Sequence, residues 1–421
     1  MTTKTEALDG SRSNDPGGLK RVLGLPLLTF YGVGIILGAG IYSVIGVAAG
    51  RAGGALWVSF LISAVIAGLT GLSYAELATM YPRAGAEFTF LQRAFPKVPQ
   101  IALVTGLLVA ISGAATTSTV ALAFSGYLRS FVAVPVVVGV GVLLVVVTLV
   151  NVLGVKEAAW VNVIFTLLEV GGLVLFIALG FSSEHRAPST PSSPAGVISA
   201  AALVFFAYLG FENIANLAEE AKRPERDLPR AIFLSLTIAT LLYVLVALAA
   251  TWLQSPVQLA ASEAPLVDAS SGSSNTVARI LGGMALFATA NTALAAMLSA
   301  SRVLFSISRS GELPVALSRI LPKRKTPWVA SFSSFASLLA FALMNGALIV
   351  LRYRERDVRR PFRVPLSVCG LPVLPALGVI ATIAVGTQLE PTALVSGGIA
   401  VALFAAYSLW RRHLSRHIGL S

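Results

Sequence analysis

Residues 24–50 read GLPLLTFYGVGIILGAGIYSVIGVAAG, with Gly32, Gly34, Gly38 and Gly40 crowded into the middle of an apolar run. The run is long enough to cross about 30 Å of hydrocarbon. Each glycine weakens a helix by roughly 1 kcal/mol relative to alanine, so a Gly-Ala-Gly at mid-span favours local unwinding. Unwinding would release backbone N–H groups that can hold a carboxylate as a helix N-terminus does. Close helix packing through small residues is the competing explanation of the same glycines. A second stretch weighs between the two. Residues 197–232, VISAAALVFFAYLGFENIANLAEEAKRPERDLPRAI, place Gly210 near the middle of another apolar run, after Phe205, Phe206 and Tyr208 and just before Glu212. These are the first and sixth apolar runs, five apart, which is the offset of an inverted five-helix repeat. Paired broken helices in corresponding positions point to a transporter's binding site.

The rest of the chain is of the same kind. Its 421 residues are 56% hydrophobic and 12% charged, about half the charge of a soluble domain. The apolar runs predict spans at 24–50, 54–80, 99–128, 133–153, 157–181, 196–217, 229–253, 276–306, 328–351, 366–388 and 391–410, an all-α polytopic membrane protein with about 11 spans. Residues 1–22 are polar and read as a cytoplasmic tail, without the apolar core of a cleavable signal; residues 413–421 read as a second tail. The net charge of +12 does not signal nucleic acid, because the basic residues sit in short loops between apolar runs. One set of loops carries Lys20 and Arg21, then Arg83, Arg93 and Lys97, then Lys156, then Lys222, Arg223, Arg226 and Arg230; the other set has isolated basics such as Arg51 and Arg129. The positive-inside rule puts the first set, and the N-terminus, in the cytoplasm. Alternation then fails: 328–351 is flanked by Lys323, Arg324 and Lys325 before it and by Arg352, Arg354 and Arg356 after it. Either this segment is re-entrant or a span is missing.

Cys369 is the single cysteine, so no internal disulfide exists. The three histidines lie in loops or the tail, no phosphate-binding loop occurs, and no catalytic signature is present. Hence no metal, cofactor, ATP motor or enzymatic activity is expected; energy would come from a gradient or from exchange.

Glu169 falls near the middle of the fifth run, where an ionised carboxylate costs several kcal/mol. It is a candidate proton-coupling group, or else a protonated acid bonded to a neighbouring helix. Glu76 and Glu87 flank the end of the second run and read as interfacial carboxylates that pair with Arg83 or cap a helix. Asn291 and Thr292 either line the pathway or bond between helices.

Four stretches, GVGIILGAGIY (32–42), YAELATMYPRAGAEFTFLQRAF (74–95), FFAYLGFENIANLAEEAKRPERDLPRAI (205–232) and ASRVLFSISRSGELP (300–314), resemble the amino acid–polyamine–organocation permeases. The resemblance extends from about residue 20 to about 410. It implies a LeuT-like 5+5 inverted repeat with broken helices 1 and 6: a permease domain over 23–412, with repeats at 24–181 and 196–351 and two further spans over 366–410. It implies secondary transport of amino acids across the cell membrane by proton symport or exchange, with no nucleic-acid partner. Gly38, Ala39 and Gly40 would hold the substrate carboxylate, and carbonyls near Ile36, Ala207 and Leu209 its ammonium group. Ile41, Tyr208 and Gly210 complete the expected site, and Phe206 would gate it. Glu212 matches an acidic position common in the family, expected to respond to pH. Where some members carry a proton-handling lysine, this chain has Glu169. Sodium coupling would call on Ser43, Thr289 and Thr292. Thr326–Ala330 resembles the opening of a ninth span, yet it runs almost directly into a tenth-span stretch at Ser333–Asn345. About 30 residues are absent relative to the family pattern, which reads as loss of the usual ninth span. The alternative reading is a non-transporting sensor or inactive paralogue that keeps the binding site.

Overall fold

The computed structural model describes residues 19–129, 131–184, 187–188, 191–262, 264–271, 275–310, 329–368, 370–389 and 391–418; the side chains of Ala39, Ser43, Asn275, 329–334, 392–393 and 410–418 lie outside the description. The chain is helical almost throughout because backbone N–H and C=O groups in hydrocarbon have no water to bond and must satisfy one another within each segment. In order, the helices are α1 (Leu25–Ala52), α2 (Leu56–Met80), α3 (Ala86–Ala94), α4 (Gln100–Arg129), α5 (Val136–Leu153), α6 (Val155–Ser182), α7 (Pro194–Val204), α8 (Glu212–Asn216), α9 (Pro224–Leu253), α10 (Pro256–Ala261), α11 (Pro265–Ser271), α12 (Asn275–Arg309), α13 (Val329–Arg354), α14 (Val373–Gly386) and α15 (Pro391–Ile418). Among the described residues, nine segments are long and apolar enough to cross a membrane, and α14 is a shorter apolar helix. The expected sixth span is not one helix but α7, a 3-10 turn at Phe205–Tyr208 and α8. The expected tenth begins later, after a two-residue hairpin pairing Ser367 with Pro372 and Val368 with Leu371.

Helix ends follow local chemistry. Pro194 opens α7 behind Ser193, whose hydroxyl accepts the Gly196 N–H at 3.0 Å, a side-chain cap that satisfies one orphan donor. Ser255 and Gln258 close a capping box at α10. The outer helix α5 presents exposed Val137, Val142, Val145, Leu149 and Val152, an apolar surface of the kind lipid covers.

α1 lies at the centre, packed against α6, α7, α9, α10 and α12. One face of the bundle gathers the basic loops. There, Val22 and Leu23 N–H donate to the Glu220 carbonyl at 2.9 and 3.0 Å, and Lys222 N–H returns to the Leu23 carbonyl at 2.7 Å. Ala84 N–H and Ala86 N–H reach Glu219 and Asn216 at 3.1 and 2.7 Å, bringing the end of α2 to the same face. Arg302 and Arg309 near the end of α12 pair with Glu220 and Glu219 at 2.7 and 3.0 Å. The opposite face holds Arg51 against Ser199 and Ala55 against Ser192.

α13 also ends at the basic face. Its Asn345 bonds Thr70 and Ser73 of α2, and Arg352, two turns on, bonds Glu76. The two helices are therefore parallel. α12 approaches the same face, so α12 and α13, consecutive among the described helices, run in one sense. This is the structural counterpart of the failed charge alternation. Thr326, Pro327 and Trp328 lie outside the described residues, as do Gly311–Pro314.

Glu76 does not pair with Arg83. It is wholly buried and accepts from Arg352 at 3.0 and 2.5 Å, from Arg360 at 3.0 Å and from Val364 N–H at 2.7 Å. The sequence could not reveal partners 276 and more positions away.

Candidate functional site: two opposed helix breaks

Both expected interruptions are present and they face each other. In α1 the backbone leaves helical values at Gly38, with φ −32° and ψ −146°. On the other side the 3-10 turn ends at an extended Leu209 and at Gly210, whose φ of 133° is a conformation open to glycine but not to ordinary residues. Gly40 presses on Ala207: a Cβ there would stand 2.9 Å from the Ala207 Cα. Ile36 and Ile41 are buried beside the break, Ala207 and Tyr208 are buried, and Phe206 is half-buried. The side chain of Ala39 lies outside the described residues.

The carbonyls of Ile36 and Ala207 converge on one donor, the Tyr243 hydroxyl of α9. It bonds the Ile36 carbonyl and stands 3.0 Å from the Ala207 carbonyl. A phenol carries one proton and can satisfy one carbonyl at a time, so the pair retains spare acceptor capacity. Sequence reasoning missed Tyr243; its one signal was being the lone tyrosine in its span. Tyr208, by contrast, directs its hydroxyl away, to the Phe60 carbonyl at 3.1 Å.

Glu212 caps the break. Its carboxyl accepts the Gly210 N–H at 2.8 Å, a bond available only because the chain turns sharply two residues earlier. Glu169 is wholly buried, and neither of its oxygens closes a well-formed hydrogen bond; Asn291 of α12 is the polar neighbour it approaches. Tyr42 and Tyr243 lie within its electrostatic reach. Glu169 shares a helix face with Asn162 and Thr166. Asn162 donates to Asn291 at 2.6 Å, Asn291 to Thr166 at 3.2 Å, and Thr166 to the Phe30 carbonyl of α1 at 3.3 Å. The spacing i, i+4, i+7 in an apolar helix was the signal that would have found all three. Thr289 and Thr292 bond carbonyls of their own helix, Ala285 and Ala288; the Ser43 side chain lies outside the described residues. Away from the breaks, a cleft of about 350 Å³ opens on the basic face between α3 and the end of α12, with Arg83, Glu219 and Arg309 on its walls.

Residues 23–333 match the amino acid permease family profile. The chain belongs to this family. Among its relatives are the branched-chain amino acid permease BcaP of Bacillus subtilis, 34% identical with 86% of each chain covered, and a methylthioribose transporter of the same bacterium, 28% identical over 85% and 86%. A vacuolar cationic amino acid transporter of Arabidopsis thaliana is 31% identical over 85% of this permease and 66% of the plant protein. The BcaP match extends over 409 positions while taking in 86% of the 421 residues here. Among solved structures, Mhp1, a nucleobase-cation-symport-1 family transporter in a closed conformation with bromovinylhydantoin bound, superposes with a TM-score of 0.56 at 16% identity, over 94% of each chain. The fold is thus that of a LeuT-like transporter.

Proposed function

We propose that this permease moves neutral, aliphatic amino acids across the cell membrane by proton symport or exchange, using alternating access at the two opposed breaks. The observation that carries the reading is the convergence of Gly38, the Leu209–Gly210 break and the Ile36 and Ala207 carbonyls around the Tyr243 hydroxyl. An incoming ammonium group supplies three donors to carbonyls that share one phenolic proton. The broken backbone at Gly38 faces the substrate carboxylate. Phe205 and Phe206 beside the break, and the substrate named for BcaP, favour an apolar side chain. Glu169, buried and weakly bonded, and Glu212 are the proton-coupling carboxyls. The basic face is cytoplasmic, with the N-terminus on it, and the two repeats cover 24–181 and 196–351.

Uptake of radiolabelled amino acids into proteoliposomes, with and without an inward proton gradient, tests this. Gradient-driven accumulation of leucine, isoleucine or valine is expected. A second reading, a substrate sensor or inactive paralogue, is favoured by the parallel course of α12 and α13, which accords with loss of a ninth span. Ligand-induced stabilisation of folded protein without any uptake would select it.

A further inference from the structure

Below the Glu212 cap lies a second buried acid that the transport reading leaves unused. Glu87, in the first turn of α3, is wholly shielded from solvent. One of its carboxyl oxygens accepts the Tyr74 hydroxyl at 3.0 Å; the other closes no well-formed bond. Asn216, one helical turn after Glu212 on the same face of α8, lies beside it. Tyr74 stands within the fields of both carboxyls and stacks edge-on against Phe211, the residue before Glu212, with ring centroids 5.9 Å apart. Glu87 also acts directly on Glu212.

No cation among the described residues neutralises this pair. Arg302 on α12 is committed to Glu220, Arg309 to Glu219, Arg352 and Arg360 to Glu76, and Arg354 on α13 to the Ala94 carbonyl. Arg93 of α3 itself sits over the Tyr81 ring, 5.6 Å from its centroid. What acts on Glu87 is its own backbone N–H, the Tyr74 hydroxyl and the Asn216 side chain. Burial outweighs these and lifts the carboxyl above its usual range. Two acids that share a dry site without a counter-ion cannot both ionise cheaply.

We propose that Glu87 is a second proton-binding carboxyl of the transport cycle, coupled to Glu212 across Tyr74 and standing between the broken helix and the basic face. Its coupling role rests on the proton-coupled transport reading; its proton-binding does not. One proton resides on the pair at rest. It leaves from Glu87 toward the basic face, and Glu212 then faces the Gly210 amide as a carboxylate.

The test uses the full chain in proteoliposomes, with wild type, Glu87→Gln and Tyr74→Phe compared. Infrared difference spectra between acid and alkaline pH read the C=O stretch of protonated carboxyls. Leucine counterflow and gradient-driven leucine accumulation read transport. The expected result is loss of one titrating carboxyl band in Glu87→Gln and a shift of its midpoint in Tyr74→Phe. Counterflow persists in Glu87→Gln while accumulation falls by about tenfold, what one coupled proton supplies per unit of pH gradient. An unchanged band in Glu87→Gln overturns the proposal, and so does a lost band with undiminished accumulation. Should wild type move no leucine under either condition, the transport reading and the coupling role fall together. The infrared comparison alone then decides whether Glu87 binds a proton, and Tyr74→Phe supplies that answer if Glu87→Gln does not fold.

Discussion

Gly40 and Ala207 hold α1 against the 3-10 turn so closely that a Cβ on Gly40 would lie 2.9 Å from the Ala207 Cα and 3.3 Å from its Cβ. The contact is backbone to backbone, so no flexible side-chain tip can move aside. Gly40→Ala should therefore part the two broken elements, at the 1–3 kcal/mol typical of overpacking. Thermal unfolding in detergent and leucine uptake should both fall. Gly171→Ala on α6 is the control, since nothing lies within 4 Å of a Cβ there. Equal behaviour of the two variants would refute the close approach.

Tyr243→Phe removes the one hydroxyl shared by the Ile36 and Ala207 carbonyls. Leaving buried acceptors unpaired costs about 1–3 kcal/mol. The ligand-free variant should melt several degrees lower, and leucine should restore more of the loss than it adds to wild type, because its ammonium replaces the missing donor. A variant with the wild-type melting temperature would remove Tyr243 from the site.

Glu169→Gln keeps the shape of the side chain and deletes its titration. Uptake by this variant should lose its dependence on external pH while exchange continues. Transport with an unaltered pH profile would assign Glu169 a structural task within the Asn162–Thr166–Asn291 network.

Glu76 ties α2 to α13 and to the 360–364 segment through Arg352, Arg360 and Val364. Arg352→Met leaves a buried carboxylate with fewer donors and should destabilise the fold by about 3–5 kcal/mol, the range for breaking a buried pair. The double variant Glu76→Leu, Arg352→Met should recover part of that loss. A melting temperature lower still in the double variant would show that Arg360 and Val364, not Arg352, dominate.

Glu219 gives the basic face a pH dependence of known sign. Burial raises its carboxyl, but the Ala84 N–H, Arg309 and the Leu19 N–H outweigh burial and hold it below the usual carboxylate range. A depressed folded value stabilises the protein above the unfolded pKa of about 4.3 and loses that contribution as pH falls through the depressed value. Arg309 is 40% exposed, so the pair is screened and worth no more than about 1 kcal/mol. Arg309→Ala should lower the melting temperature slightly at neutral pH, and by progressively less as pH falls through the depressed value. An equal loss at every pH would show that Arg309 acts through packing.

The helical membrane class, the sidedness of charge and both helix breaks were legible in the residues. Apolar length, loop charge and glycine position are local properties, and the bilayer turns them directly into spans and weak points. The anomaly after α12 was legible for the same reason, since like-charged flanks around one apolar run already marked that segment as re-entrant or short of a span. The site's polar interior was less so. Asn162 and Thr166 had a spacing that pointed to them, whereas Tyr243 had only its solitude.

The sequence by itself determined that this chain is a multi-span helical membrane protein with paired discontinuities near Gly38 and Gly210, because those follow from composition and from the conformational freedom of glycine along a single segment. Only the tertiary structure decided that the Tyr243 hydroxyl bridges the two breaks, that Glu76 answers to Arg352 and Arg360, and that Glu87 and Glu212 share a dry site with no cation among the described residues. Each of these depends on which side chains meet across helices 13 to 284 positions apart. In a bundle whose surfaces are nearly all apolar, that choice is made by shape and by the few polar groups needing partners, and no local pattern records it.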